Sequence, residues 1–291
     1  MARVRARLPT LRDALVEYAK AKKLKASSLV RYESVLKTHF ADWLDRPVSA
    51  LKDSAFADHC HQFKQTKGAA LVDLGRGIIG SILRFIGAVH GMDIPSPFVR
   101  LTAAGLMPGR PQPRARTLNE SGLPAWLKAV DVLPETQRDY LRLILLTGLR
   151  KNEARAIRRQ DVDLAECVIL IPETKGKKPH SLPITDHMLE ILARRCERLD
   201  PDEWLFKNLS ADHVTEMAIR AGTPVFTLHD LRKLVASVGA RQGIGDAILR
   251  RILGHAPKSG DVLHRHYVSL SAHDVAASLT TIQVALVAAI C

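Results

Sequence analysis

Residues 107–116, MPGRPQPRAR, carry three prolines and three arginines and no apolar period. Proline removes backbone donors and favours extended chain, so residues 107–117 read as a basic, Pro-rich linker. That linker divides the chain into a first domain, residues 1–106, and a second, residues 118–291. Each is long enough to bury a core of its own. What lies on either side differs in pattern, and the difference sets the expected fold of each half.

The first domain shows only helical periods. Thr10 is placed to cap a helix with Leu11, Leu15 and Tyr18 on one face, and a second helix starting near Ser27 or Ser28 lines up Leu29, Tyr32, Leu36 and Phe40. Shorter matches around Phe56 and Phe63 predict a third. Leu71, Leu74, Ile78, Ile82 and Ile86 hold the period of a long fourth until Gly91 and Pro95 stop it. Gly75, Gly77 and Gly80 inside that helix each cost roughly 1 kcal/mol relative to Ala where exposed, so they suit a close approach of another helix or a phosphate backbone. The expectation is a helical bundle.

Beyond the linker, Asn119 can cap a helix with Leu123, Trp126 and Leu127, and another apolar helix runs from Tyr140 to Leu146. Then the period changes. Cys167–Pro172 (CVILIP) and His180–Thr185 (HSLPIT) are short β-type runs separated by the basic turn ETKGKK, and together they predict a hairpin. Helices resume near Met188. The whole is mainly α, with a small antiparallel sheet in a mostly helical second domain.

Charge narrows the function. Lys and Arg number 43 against 30 Asp and Glu, a net +13. The first 110 residues contribute +9 of it and the rest +4. A surplus of this size attracts polyanions, nucleic acid foremost. The four cysteines form no CxxC pair and no zinc spacing, so a disulfide or metal framework is not expected. His264 and His266 make an H-x-H with no third ligand in view. No apolar run approaches the ~20 residues of a membrane span, and the start MARVRARLPT has no apolar stretch behind its basic flank. A cytoplasmic, nucleoid-associated protein without membrane partners is expected.

Five patches stand in order: TGLRKNE (147–153), TKGKK (174–178), HDLR (229–232), LGH (253–255) and HRHY (264–267). Any one of them occurs by chance. Together, with the hairpin between the first and third, they resemble the tyrosine recombinase (phage integrase) family, and the resemblance covers essentially the whole chain. It implies a SAM-like core-binding domain over residues 1–106 and a catalytic domain over 118–291. With the first helix expected near residue 10, the extra arm-type DNA-binding domain of some phage integrases is not expected.

The chemistry of each residue type can be stated independently. Attack on a DNA phosphodiester builds negative charge on the nonbridging oxygens, which two guanidiniums can grip bidentately while staying charged. The resemblance makes these Arg150 and Arg232. It makes Tyr267 the nucleophile, a phenol of ordinary pKa about 10 that needs a base or a cationic field at neutral pH. His229 becomes base or hydrogen-bond partner, His255 a holder of a nonbridging oxygen, and Lys175 the general acid for the departing 5′ hydroxyl. Glu153 is expected to support Arg150 or its helix. Tyr18, Tyr32 and Tyr140 sit on apolar faces and read as core. Phosphate contacts are expected from Arg31, Lys37, Arg110, Arg114, Arg116, Lys177 and Lys178.

The twelve positions from His255 to Tyr267 exceed the spacing common in the family, which implies a longer loop and a tyrosine that enters on assembly. The implied reaction needs no cofactor, neither metal nor ATP. The implied partners are double-stranded attachment or recombination sites and further copies of the chain, four on two duplexes, with accessory DNA-bending proteins possible. A type IB topoisomerase-like activity, a non-catalytic DNA-binding regulator on the same scaffold and a metal-dependent nuclease or transposase are the other readings. The apolar stretch from Ile282 to Ile290 suits a last helix packed either in its own core or in a neighbouring subunit.

Overall fold

Thr10 opens the first helix as its position predicts: its hydroxyl accepts from the Asp13 backbone N–H at 3.1 Å, and α1 runs Leu11–Ala21. The computed structural model describes residues 8–91, 96–106, 118–172, 179–255 and 271–289. It divides into two units, residues 1–113 and 114–291.

In the first unit α1 is followed by α2 (Ala26–His39), a one-turn α3 (Ala41–Leu44), a 3-10 turn at Val48–Lys52, α4 (Ser54–Thr66), α5 (Ala69–Val89) and α6 (Pro97–Ala103). α2 starts within one residue of the expected Ser27. It begins at Ala26, and no side chain caps it; Ser27 and Ser28 lie in its first turn. Aromatic rings supply much of the core. Phe40 meets Phe63 edge-on at 5.2 Å, Trp43 meets Phe56 at 4.9 Å, and Phe56 meets Phe98 of α6 at 6.0 Å. Edge-to-face pairs of this kind add about 0.5–1.5 kcal/mol beyond burial. Of the three glycines in α5, Gly75 has the packing reason, because a Cβ there would stand 3.1 Å from the Phe40 ring. Gly77 has open space around it and Gly80 nearly so.

The second unit contains α7 (Leu123–Asp131), α8 (Glu135–Thr147), α9 (Lys151–Arg155), α10 (Asp186–Cys196), α11 (His213–Arg220), α12 (Leu228–Arg241), α13 (Asp246–Ile252) and α14 (Ala272–Ala288). Asn119 caps a 3-10 turn, Glu120–Gly122, which feeds α7. The hairpin strands are β2 (Val168–Ile171) and β3 (His180–Pro183), and β1 (Val162–Asp163) adds a third, giving the antiparallel order β1-β2-β3. Ile171 pairs with His180 and Ile169 with Leu182. All four side chains are buried, whereas Leu170 between the isoleucines is exposed. The turn predicted at 173–178 and the linker at 107–117 lie outside the described residues.

α8 forms the middle of this unit: Tyr140, Leu141, Leu143 and Ile144 are all fully buried. α12 packs on α8 and α14, and α13 packs on α12 and α14. Gly239 marks the crossing, since a Cβ there would fall 2.4 Å from Leu249 of α13 and 3.0 Å from Ile282 of α14. The last helix thus fills the core of its own unit with Leu279, Ile282 and Leu286. Gln283, fully buried among them, accepts from the Thr185 hydroxyl at 2.5 Å and donates to the Leu146 carbonyl at 2.9 Å. Among the described residues no helix is long and apolar enough to cross a membrane.

Replacing Gln283 by Leu leaves that hydroxyl and carbonyl without the amide. The variant should lose about 1–3 kcal/mol for each buried group left unpaired. Urea unfolding of the full chain measures this; an unshifted unfolding midpoint for the second unit rejects the clamp.

Candidate active site

The site begins where α8 ends. Gly148 adopts φ +67°, the left-handed cap that glycine takes without penalty. Space demands glycine as well, because a Cβ would lie 2.7 Å from Leu253 Cδ2 and 3.2 Å from Val235 Cγ1. The turn leaves the Gly148 carbonyl accepting from Arg232 Nη1 at 2.7 Å. It also delivers Arg150 to the N-cap of α9. There the buried carboxylate of Glu153 takes the Arg150 backbone N–H at 3.0 Å and its side-chain Nη1 at 2.6 Å. Glu153 therefore fixes both the backbone and the guanidinium of Arg150, the supporting part expected of it.

α12 is aligned by a capping box. The Asp230 carboxylate accepts from the Thr227 N–H at 2.9 Å and from the Thr227 hydroxyl at 2.7 Å. Burial opposes its charge, but these bonds, with Lys233, hold it below the usual carboxylate range. One turn in, His229 and Arg232 are three positions apart and share a side of the helix. His229 is exposed and Arg232 is buried.

Arg232 is the anchor. Besides the Gly148 carbonyl, it donates through Nη2 to the Leu253 carbonyl at 2.6 Å and to His255 Nε2 at 2.8 Å. Leu253 and Gly254 end α13, with Gly254 at φ +59° and the His255 N–H returned to the Arg250 carbonyl at 2.9 Å. Because Nε2 of His255 accepts, its proton is assigned to Nδ1. Burial first, then the like charge of Arg150, bring the Arg232 guanidinium down to about 10, so it stays charged at neutral pH.

The two histidines respond to the same field. Burial, then Lys233 and Arg232, lower the pKa of His229; burial, then Arg232, Arg150 and Arg250, lower that of His255. Both imidazoles are therefore neutral at pH 7. The structure thus brings Arg150, His229, Arg232 and His255 into one basic cluster, with Glu153 behind it.

Not every predicted residue is among the described ones. Lys175, Lys177, Lys178 and Tyr267 lie outside the described residues, as do Arg110, Arg114, Arg116, His264 and His266. Arg31 and Lys37 are exposed on α2 in the first unit, Lys37 within 3.2 Å of Glu33. Tyr140 is core, its hydroxyl donating to the Lys151 carbonyl at 2.8 Å, and burial raises its pKa far from any nucleophilic range. No cluster of three or more His, Cys, Asp or Glu able to hold a metal occurs among the described residues.

Sequence reasoning missed His180. Its imidazole is buried on β3, where Nε2 donates to the Ile252 carbonyl at 3.2 Å and Nδ1 accepts from Arg251 Nη1 at 2.9 Å. The signal was available: in HSLPI, His180 is in phase with Leu182 and so faces inward.

Known proteins share both the sequence pattern and the architecture. The sequence profile of the phage integrase family matches residues 116–272. A tyrosine recombinase of Pseudothermotoga lettingae is 27% identical over 160 residues, covering 50% of this chain and 56% of the relative. Tyrosine recombinase XerC of Oceanobacillus iheyensis is 25% identical over 284 residues, 87% of this chain and 90% of the relative. The chain spans about half the length of several curated relatives that it matches. Among solved structures, a lambda integrase (75–356) dimer bound to a COC' core site superimposes with a TM-score of 0.67 at 20% identity, over 90% of this chain and 99% of that one. That likeness shows the fold. With more than half of its residues under the family profile, the chain belongs to the phage integrase family.

Proposed function

We propose that the chain is a site-specific DNA recombinase that cuts and rejoins duplex DNA through a 3′-phosphotyrosine link. The observation that carries this reading is the pairing of two held guanidiniums with two neutral imidazoles in one cluster. Such a cluster suits a phosphodiester: the arginines take the growing charge on the nonbridging oxygens, and the imidazoles can accept or donate a proton. Residues 1–106 serve as the core-binding domain, 107–117 as the linker and 118–291 as the catalytic domain.

In this mechanism the Tyr267 phenol oxygen attacks phosphorus, its proton passing to neutral His229. The bond from phosphorus to the 5′ oxygen breaks, and Lys175 protonates that oxygen as it leaves. Arg150, Arg232 and the Nδ1–H of His255 stabilise the nonbridging oxygens. A 5′ hydroxyl of a second duplex then reverses the step on the phosphotyrosyl bond, so the bond energy is kept and no nucleotide is consumed. Arg31, Lys37, Arg110, Arg114, Arg116, Lys177 and Lys178 make phosphate contacts. The family's solved complexes include a lambda integrase tetramer bound to a Holliday junction. Four copies on two duplexes, with accessory DNA-bending proteins and a place on the nucleoid, are the corresponding expectation here.

Nicked duplexes from the attachment region of the host element test the reading. Wild type should form a covalent protein–DNA adduct and Tyr267→Phe none; an undiminished adduct in the variant removes Tyr267 from its role. Supercoil relaxation without strand exchange would point instead to a topoisomerase-like activity. Arg232→Lys keeps a charge but not the fork, and should slow adduct formation about 10²–10³-fold. The same rate should hold steady at and above neutral pH. It should fall as pH drops below the ordinary imidazole value of 6.5, because the lowered histidines must be protonated to lose function. A rate unchanged well below that value excludes a neutral-histidine mechanism.

A further inference from the structure

One buried imidazole has no part in that mechanism, yet it joins two of the segments that form the site. β3 begins at His180, directly after the connection from β2 that contains Lys175 in the sequence. The α13 end, Leu253 to His255, supplies the carbonyl and the ring that hold Arg232. His180 stands between the two. Its Nε2–H donates to the Ile252 carbonyl at 3.2 Å, and its Nδ1 accepts from Arg251 Nη1 at 2.9 Å, while Arg251 Nη2 donates to Ser181 Oγ at 3.2 Å. The turn lies directly against the ring: a Cβ at Gly254 would come within 3.2 Å of His180 Cδ2.

Position and chemistry are at odds with a merely space-filling role. The inward sites of this sheet otherwise hold Val162, Ile169, Ile171 and Leu182, and an apolar residue would fill this one with no polar group to satisfy. The imidazole instead uses one nitrogen as donor and the other as acceptor, both toward the last turn of α13. That division of roles exists only in the neutral ring. Burial first, opposed by the Ile252 bond, then Arg251 and Arg232 against Glu153, lowers the pKa and keeps it neutral.

We infer that His180 is a positioning residue, locking β3 to the Leu253–His255 turn so that the hairpin and the Arg232–His255 pair keep one geometry. The inference rests on the recombinase reading for its effect on rate, but the lock itself is a property of the fold.

Two substitutions separate hydrogen bonding from packing. His180→Leu keeps the inward position apolar and filled but makes neither bond; His180→Gln offers a donor and an acceptor without titrating. With nicked attachment-site duplex as probe, the Leu variant should bind with wild-type Kd but form adduct about 10–10²-fold more slowly, the scale of a small misplacement. The Gln variant should stay within about threefold of wild type on that same scale. Amide exchange of residues 250–255 should speed up in the Leu variant and not in the Gln variant. Adduct formation by the Leu variant at wild-type speed, or Leu and Gln variants equally slow, overturns the inference. So does unchanged exchange in the Leu variant. Absence of any adduct in the wild type would sink the recombinase reading alone, and the exchange comparison would still decide the lock.

Discussion

A buried guanidinium is expensive, and the second unit is arranged around making one tolerable. Arg232 is removed from water except for a thin edge, and an isolated charge there would cost several kcal/mol. The compensation comes from main chain. Gly148 and Leu253 are the residues just past the ends of α8 and α13, so their carbonyls belong to the groups every helix leaves unpaired at its C-terminus. Two helix ends, each carrying partial negative charge, point at one cation. The exchange is mutual: the arginine satisfies carbonyls that would otherwise be orphaned, and they fix its plane without neutralising it. A carboxylate partner would have done the first and undone the second.

Arg150 illustrates the contrast. Its partner is a carboxylate, but Glu153 is also the third residue of α9 and takes the Arg150 backbone N–H, so that pair is part of a helix start. Burial first, and then the surrounding cations, lower the pKa of the two histidines beside them. The positive field that adds to burial in keeping His229 and His255 neutral also attracts an anion to the cluster. This requires that the cations not move, and the left-handed glycine at 148 is where rigidity is built in, since any side chain there collides with Leu253 and Val235.

Much of this was legible in the chain itself. The long apolar periods of α5 and α8 and the β-branched run at 168–171 are strong signals because many residues repeat one instruction. Arg150, His229, Arg232 and His255 were found as motif residues, and the fold brings those four together. Short elements carried too little information: α3 has four residues, β1 has two, and α6 follows a proline with hardly two turns. Each is held by tertiary contact, such as the Phe98–Phe56 pair, which no local period encodes. α2 begins at Ala26, one residue before Ser27, without a side-chain cap. His180 was legible as the first residue of a β-type run, but its bonds to Ile252 and Arg251 of α13 join segments some seventy positions apart that no local period encodes.

The last helix extends the same logic to the back of the site. Gln283 of α14 donates to the carbonyl of Leu146, one of the unpaired groups in the final turn of α8, and ties it to Thr185 just beyond β3. α8 therefore ends with two of its carbonyls taken by long side chains from other helices, Leu146 by Gln283 and Gly148 by Arg232. Ile282 of the same helix packs into the gap above Gly239, where α12 and α13 cross. α14 thus packs at once against α8, α12 and α13, the helix that carries Arg232 and the two that end in its carbonyl partners. The outer face of α14 exposes Val284 and Val287, while its inner face braces the site.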